Sequence, residues 1–206
     1  HYVCPGELIF GADSHTCSYG ALGAFGTGVG CTDLLYGMVT GKSWVLVPET
    51  VKFNLVGKLP EGVYARDLIL TIIGTIGANG CNYQVMEFTG EGAKTLSISE
   101  RMVLCNMAVE AGAKTGIFEP DEKAIEYLEA HGRKPKALFK SDPDAVYARE
   151  YTFDLSKIRP VVAKPDFVDN LVPAEEVRGV KIDEAFLGSC NNGRIEDLRV
   201  GAQVIK

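Results

Sequence analysis

Residues 65–77 run Ala-Arg-Asp-Leu-Ile-Leu-Thr-Ile-Ile-Gly-Thr-Ile-Gly, a strongly apolar stretch that predicts a buried helix over Ala65–Gly77. Short apolar or alternating runs predict strands at Glu7–Gly11, Trp44–Val47, Val51–Val56, Tyr83–Phe88, Thr115–Phe118, Tyr151–Leu155, Val161–Ala163 and Asp183–Leu187. Ser97 stands three residues before Glu100, a capping box that opens a helix through Arg101–Ala111, which Gly112 closes. Further helices are predicted over Asp33–Gly41, Glu122–Ala130 and Ala145–Arg149, and from Arg194 onward. Lys134–Pro143 reads as a loop, and Lys164–Glu176, with Pro165 and Pro173, as a connector. Strands alternating with helices make this an α/β chain.

The chain has 206 residues, enough to bury a core. Its 27 acidic against 21 basic residues give a net charge of −6, which argues against general nucleic-acid binding. The longest apolar stretch, around Leu68–Ile76, falls far short of a membrane span, and no basic-then-apolar leader precedes it. The six cysteines include no C-x-x-C pair, so most read as buried, reduced thiols of a cytoplasmic protein. The chain opens on His1 and stops inside a helical pattern, so it is expected to be a piece of a longer subunit, incomplete at both ends.

Two glycine-rich segments imitate nucleotide sites and fail on spacing. Gly37-Met38-Val39-Thr40-Gly41-Lys42-Ser43 has three residues between its glycines where a phosphate loop has four. The series from Gly23 to Gly30 contains no complete dinucleotide fingerprint, because Cys31 stands at the position that would finish it.

Three places can carry chemistry. Asp13-Ser14-His15 follows a predicted strand, where a carboxylate, a hydroxyl and an imidazole can orient a ligand and move a proton, or simply make a satisfied turn. Asn106 and Glu110 share a helix face among apolar and small residues, and face either a site or solvent. Cys190 sits among small residues in Gly188-Ser189-Cys190-Asn191-Asn192-Gly193, between a predicted strand and a helix. Its thiol could be a nucleophile, a metal ligand or neither.

Taken together, Gly11–Thr16, Leu104–Ala113 and Gly188–Leu198 resemble the aconitase superfamily, in its isopropylmalate isomerase and homoaconitase branch, and their order and spacing extend the resemblance over essentially the whole chain. The resemblance implies aconitase-like three-layer α/β/α domains with mixed or parallel sheets. Residues 1–50 would end a first domain, 51–150 would form a second, and 151–206 would begin a third. It implies a hydro-lyase large subunit that isomerises a hydroxy acid, in the first instance isopropylmalate in leucine biosynthesis, by removing and re-adding water on a [4Fe–4S] cluster. Homoaconitate, methylmalate or citraconate are alternative substrates, and a binding domain that kept the fold without the chemistry is the alternative of another class. By the same resemblance, Asp13, His15 and Glu110 are catalytic, with a Glu110–His15 hydrogen bond. Ser14 and Asn106 bind substrate, and Cys190 is the first of three cluster ligands. The other two ligands, an upstream Asp-His segment and the small subunit with its catalytic serine are not in this sequence, so the chain alone is expected to be inactive. The branch usually carries Thr where Asn191 stands, a substitution that keeps a hydrogen-bonding group.

Overall fold

The computed structural model describes residues 2–135 and 137–206. The chain begins with a strand, β1 (Leu8–Gly11), a 3₁₀ helix over Ser14–Leu22 and a second strand, β2 (Phe25–Gly28), parallel to the first. Glycine lets this small unit close on itself and on its neighbour. A Cβ on Gly20 would lie 1.7 Å from the carbonyl oxygen of Gly116, so the 3₁₀ helix packs backbone to backbone on a strand of the main sheet. Helix α1 (Cys31–Thr40) follows and ends on the left-handed Gly41. The phosphate-loop imitation therefore falls mostly within the end of this helix.

The main sheet is assembled from β3 (Thr50–Val56), β4 (Val85–Thr89), β5 (Thr115–Phe118) and β6 (Arg149–Asp154) in the order β5-β4-β3-β6, with every pairing parallel. Period-2 burial along β3 sends Val51, Phe53 and Leu55 into the core while Lys52, Asn54 and Val56 are half-buried. Phe53 lies against Phe88, Tyr151 and Phe153, so one aromatic ring joins three strands. The parallel strands are linked by helices: α2 (Ala65–Ile76) between β3 and β4, then α3 (Glu91–Thr95), α4 (Ile98–Asn106) and a 3₁₀ turn at Met107–Ala111 between β4 and β5. Leu68, Ile69, Ile72 and Ile73 of α2 are wholly buried. The capping box forms as expected: Ser97 N donates to Glu100 Oε2 at 2.7 Å, and Glu100 N donates to Ser97 Oγ at 3.3 Å. After α5 (Glu122–Ala130) and β6 come a short antiparallel pair, β7 (Val161–Ala163) with β8 (Leu171–Pro173), a one-turn helix α6 (Ser189–Asn192) and α7 (Ile195–Ile205).

The α/β class holds, but five expectations need correction. Trp44–Val47 and Asp183–Leu187 form no strand, and the helix expected over Ala145–Arg149 is absent: a turn at Pro143–Asp144 leads through irregular chain and a bend at Ala148 into β6, which begins at Arg149. No neighbouring strand offers these segments a partner. Trp44, Val47 and Phe186 are more than four-fifths exposed, so apolar composition alone did not recruit them to a sheet. The connector at 164–176 contains β8, because the loop after Ala163 turns back far enough for Leu171–Pro173 to pair with β7. The helix opened by Ser97 changes at Met107 to a 3₁₀ turn, which carries Glu110. Among the described residues, no helix is long and apolar enough to cross a membrane.

Candidate active site

Asp13 opens the first 3₁₀ helix, and its Oδ1 accepts the His15 amide at 2.6 Å. This cap fixes the imidazole at the carboxyl end of β1. His15 Nδ1 lies 3.2 Å from Ser14 Oγ and 3.7 Å from Asp13 Oδ1, while Nε2 lies 3.7 Å from Glu110 Oε1. The imidazole is thus flanked by a carboxylate on each side, and both acids reach solvent. The Glu110 contact brings the two residues together as expected, but at ion-pair distance rather than as the expected hydrogen bond, which needs about 3 Å.

Gly28 makes room for this loop. A Cβ there would stand 2.8 Å from Ser14 Cα and 2.9 Å from the Asp13 carbonyl oxygen. The glycine series that imitated a nucleotide site instead permits close approach of β2 to the Asp13–His15 turn.

Asn106, expected to touch substrate, is 1% exposed. Its Nδ2 donates to Ser18 Oγ at 2.9 Å, Ser18 Oγ donates to the His15 carbonyl at 2.7 Å, and its Oδ1 accepts from Asn191 Nδ2 at 3.1 Å. Its amide is engaged by protein on both ends. Cys17 donates from Sγ to the Asn106 carbonyl at 3.3 Å and is wholly buried. Desolvation pushes its thiol up to about 12, so it stays protonated at neutral pH.

Cys190 is exposed in α6, a single turn with no strand before it. Arg194 draws this turn closed, donating to the carbonyls of Asn191 at 2.7 Å and Cys190 at 3.4 Å. Arg66, at the start of α2, donates to Asn191 Oδ1 at 2.5 Å and to Asn192 Oδ1 at 3.4 Å. Burial lowers the Arg66 pKa, against the opposing pull of the Glu110 and Asp67 charges. Sequence reasoning missed Arg66 and Ser18. The one signal for Arg66 is a cation in the first turn of an otherwise apolar helix; nothing in the local sequence marks Ser18. Beside the turn, a cleft of about 610 Å³ opens between the N-terminal ends of α2 and α4 and the segment around Leu187 and Val200.

The donor set does not complete an iron–sulfur site. Among the described residues no group of three His, Cys, Asp or Glu side chains is placed to hold a metal ion. Cys17 and Cys105 are buried thiols whose ionisation is opposed by desolvation. A cluster held by three thiolates therefore does not fit the described residues by themselves.

The family model described as the aconitase family (aconitate hydratase) matches residues 1–178. A 3-isopropylmalate dehydratase large subunit of Caldicellulosiruptor saccharolyticus is 54% identical over 205 residues, covering 99% of this chain and 48% of that protein. Large subunit 1 of the same enzyme from Methanopyrus kandleri is 52% identical over 205 residues, covering 100% of this chain and 49% of its own. Large subunit 1 from Pyrococcus furiosus is 54% identical over 206 residues, with 99% and 49% covered. The chain spans about half the length of the curated relatives it matches. It belongs to the aconitase family.

Proposed function

We propose that this chain is part of the large subunit of a hydro-lyase that interconverts 2-isopropylmalate and 3-isopropylmalate by dehydration and rehydration, in the cytoplasm, as a step of leucine biosynthesis. The observation that carries the reading is identity above one half over the whole chain with large subunits named for that reaction. The geometry supports it, since His15, Asp13 and Glu110, brought together from distant positions, can hold and move a proton beside a turn that bears an exposed thiol.

In this reading His15 is the proton-handling group, with the Glu110 carboxylate 3.7 Å from Nε2 and Ser14 orienting the ring through Nδ1. Ser14 Oγ also has room to meet a substrate carboxylate. Cys190 would be one ligand of a [4Fe–4S] cluster, which in the complete subunit supplies Lewis-acid chemistry; its other ligands are not among these residues. A small subunit is the proposed partner. Residues 1–50, 51–150 and 151–206 would belong to three successive domains.

The test is direct. The complete polypeptide that contains this segment, reconstituted with iron and sulfide and with its small subunit, is assayed for interconversion of the two isopropylmalates. Turnover of isopropylmalate supports the reading. Exclusive turnover of homoaconitate, methylmalate or citraconate would replace the substrate, and no turnover of any of them would reject the hydro-lyase.

A further inference from the structure

We infer that Asn191 is a positioning residue, whose side-chain amide locks the Cys190 turn to the segment carrying His15. Its catalytic consequence rests on the hydro-lyase reading proposed above; its geometry does not.

From residue 159 to the end of the chain, Asn191 is the one buried residue, at 6% exposure. Apolar side chains around it, including Phe186, Leu187, Ile195 and Leu198, stay exposed. Val161, Ala163 and Leu171 of β7 and β8 pack partly buried against the core, but the Cys190 turn beyond them is anchored by a polar group. A buried amide is costly unless its hydrogen-bonding capacity is met. Here it is met on both ends. Oδ1 accepts from Arg66 of α2, and Nδ2 donates to Asn106 Oδ1 and to the Val103 carbonyl of α4. Through Asn106 Nδ2 and Ser18 Oγ the same chain of hydrogen bonds ends on the backbone carbonyl of His15.

The arrangement is directional. Arg66 offers only donors, so it must face an acceptor, while Asn106 Oδ1 and the Val103 carbonyl offer only acceptors and must face donors. One side chain with an oxygen on one side and two N–H groups on the other satisfies all three. A threonine hydroxyl donates once and so cannot serve both acceptors on α4. The residue that the sequence treats as a minor substitution is the joint between the two halves of the site.

Asn191→Asp keeps shape and the acceptor for Arg66 but turns a carboxylate toward two carbonyl oxygens. The experiment uses the complete polypeptide with its small subunit, comparing Asn191→Asp with the natural protein by hydrogen exchange and by kinetics. Exchange across 188–194 is expected to rise about tenfold or more, while the sheet peptide 50–56 is unchanged. The same variant is expected to lose about tenfold in kcat with KM altered less than about twofold, the signature of displaced machinery rather than weaker binding. Unchanged exchange at 188–194, or an equal rise in the sheet peptide, overturns the inference. If the natural protein turns over no hydroxy acid, the proposed function fails, and the exchange result still decides the role of Asn191. Should Asn191→Asp not fold, Asn191→Thr carries the same test, with a rise of about threefold at 188–194 expected from its single donor and no rise overturning the inference.

Discussion

Asp121 grips the buried guanidinium of Arg101 with both carboxylate oxygens, at 2.8 and 2.5 Å. Arg101 is 1% exposed and its plane lies over the Phe118 ring at 5.4 Å from its centroid. Asp121 also caps α5, accepting the Ala124 amide at 3.2 Å. The pair therefore ties α4, which carries Asn106, to the start of α5. Removing one partner leaves an uncompensated buried charge, so Asp121→Ala is expected to cost roughly 3–5 kcal/mol, read as a fall in the urea unfolding midpoint. An unchanged midpoint would show the pair to be ornamental.

That pair also sets an acid limit. Burial opposes ionisation of Asp121, but the hydrogen bonds and charge of Arg101, with the Ala124 amide and Lys123, outweigh it and hold the carboxyl below its ordinary value of 3.8. A carboxyl depressed in the folded state contributes stability that is present above the unfolded value and lost as pH falls through the folded one. Stability should therefore drop below about pH 4, and this part of the drop should vanish in Asp121→Asn.

The thiols divide by burial. Cys17 and Cys81 are pushed up to about 12 and about 11, and Cys105 well above its ordinary value, each mainly by desolvation. Iodoacetamide at mildly alkaline pH should label the exposed Cys31 and Cys190 and spare these three, as peptide mass mapping would show. Groups with raised folded values give stability that is fully present below the ordinary value of 9.0 and lost as pH rises toward the folded ones. Thermal midpoints should fall between those limits, and labelling of Cys17 in the folded chain at neutral pH would contradict this reading.

Gly28→Ala should injure the site more than the fold. Its new methyl would meet the backbone of Ser14 and Asp13, on an exposed loop that can give way. In the complete enzyme a displacement of this kind is expected to reduce kcat by about a hundredfold, with a smaller loss of unfolding free energy. Gly20→Ala is the contrasting case: the Gly116 carbonyl cannot move without the sheet, so the loss should be in stability.

Glu110→Gln removes the carboxylate at His15 Nε2 while keeping its size. If that carboxylate supports proton transfer, kcat of the complete enzyme should fall by about a hundredfold or more, with the unfolding midpoint little changed. Activity within about twofold of the natural enzyme would remove Glu110 from the proposed machinery.

Much of the framework was legible from local pattern. The apolar run at 65–77, the Ser97 box and the strand at 51–56 reappear because each is specified by its own residues, through periodicity or capping. The missed strands, β2 and β8, are rich in glycine or proline and pair only because a distant turn brings a partner alongside. Trp44–Val47 fails for the converse reason, since a strand-like composition needs an edge to join.

The sequence by itself determined the α/β class, the family and the residues able to carry chemistry, because composition, period and motif spacing are local properties of the chain. Only the tertiary structure decided how those residues meet. It set Glu110 beside His15 at 3.7 Å, turned Asn106 inward, recruited Arg66, and made Asn191 the anchor of the Cys190 turn. These relationships join positions 85 to 125 residues apart, and hydrogen bonds reach only about 3 Å. Such a distance is set by the packing of α2, α4 and the parallel sheet between the partners, which no single stretch of sequence encodes.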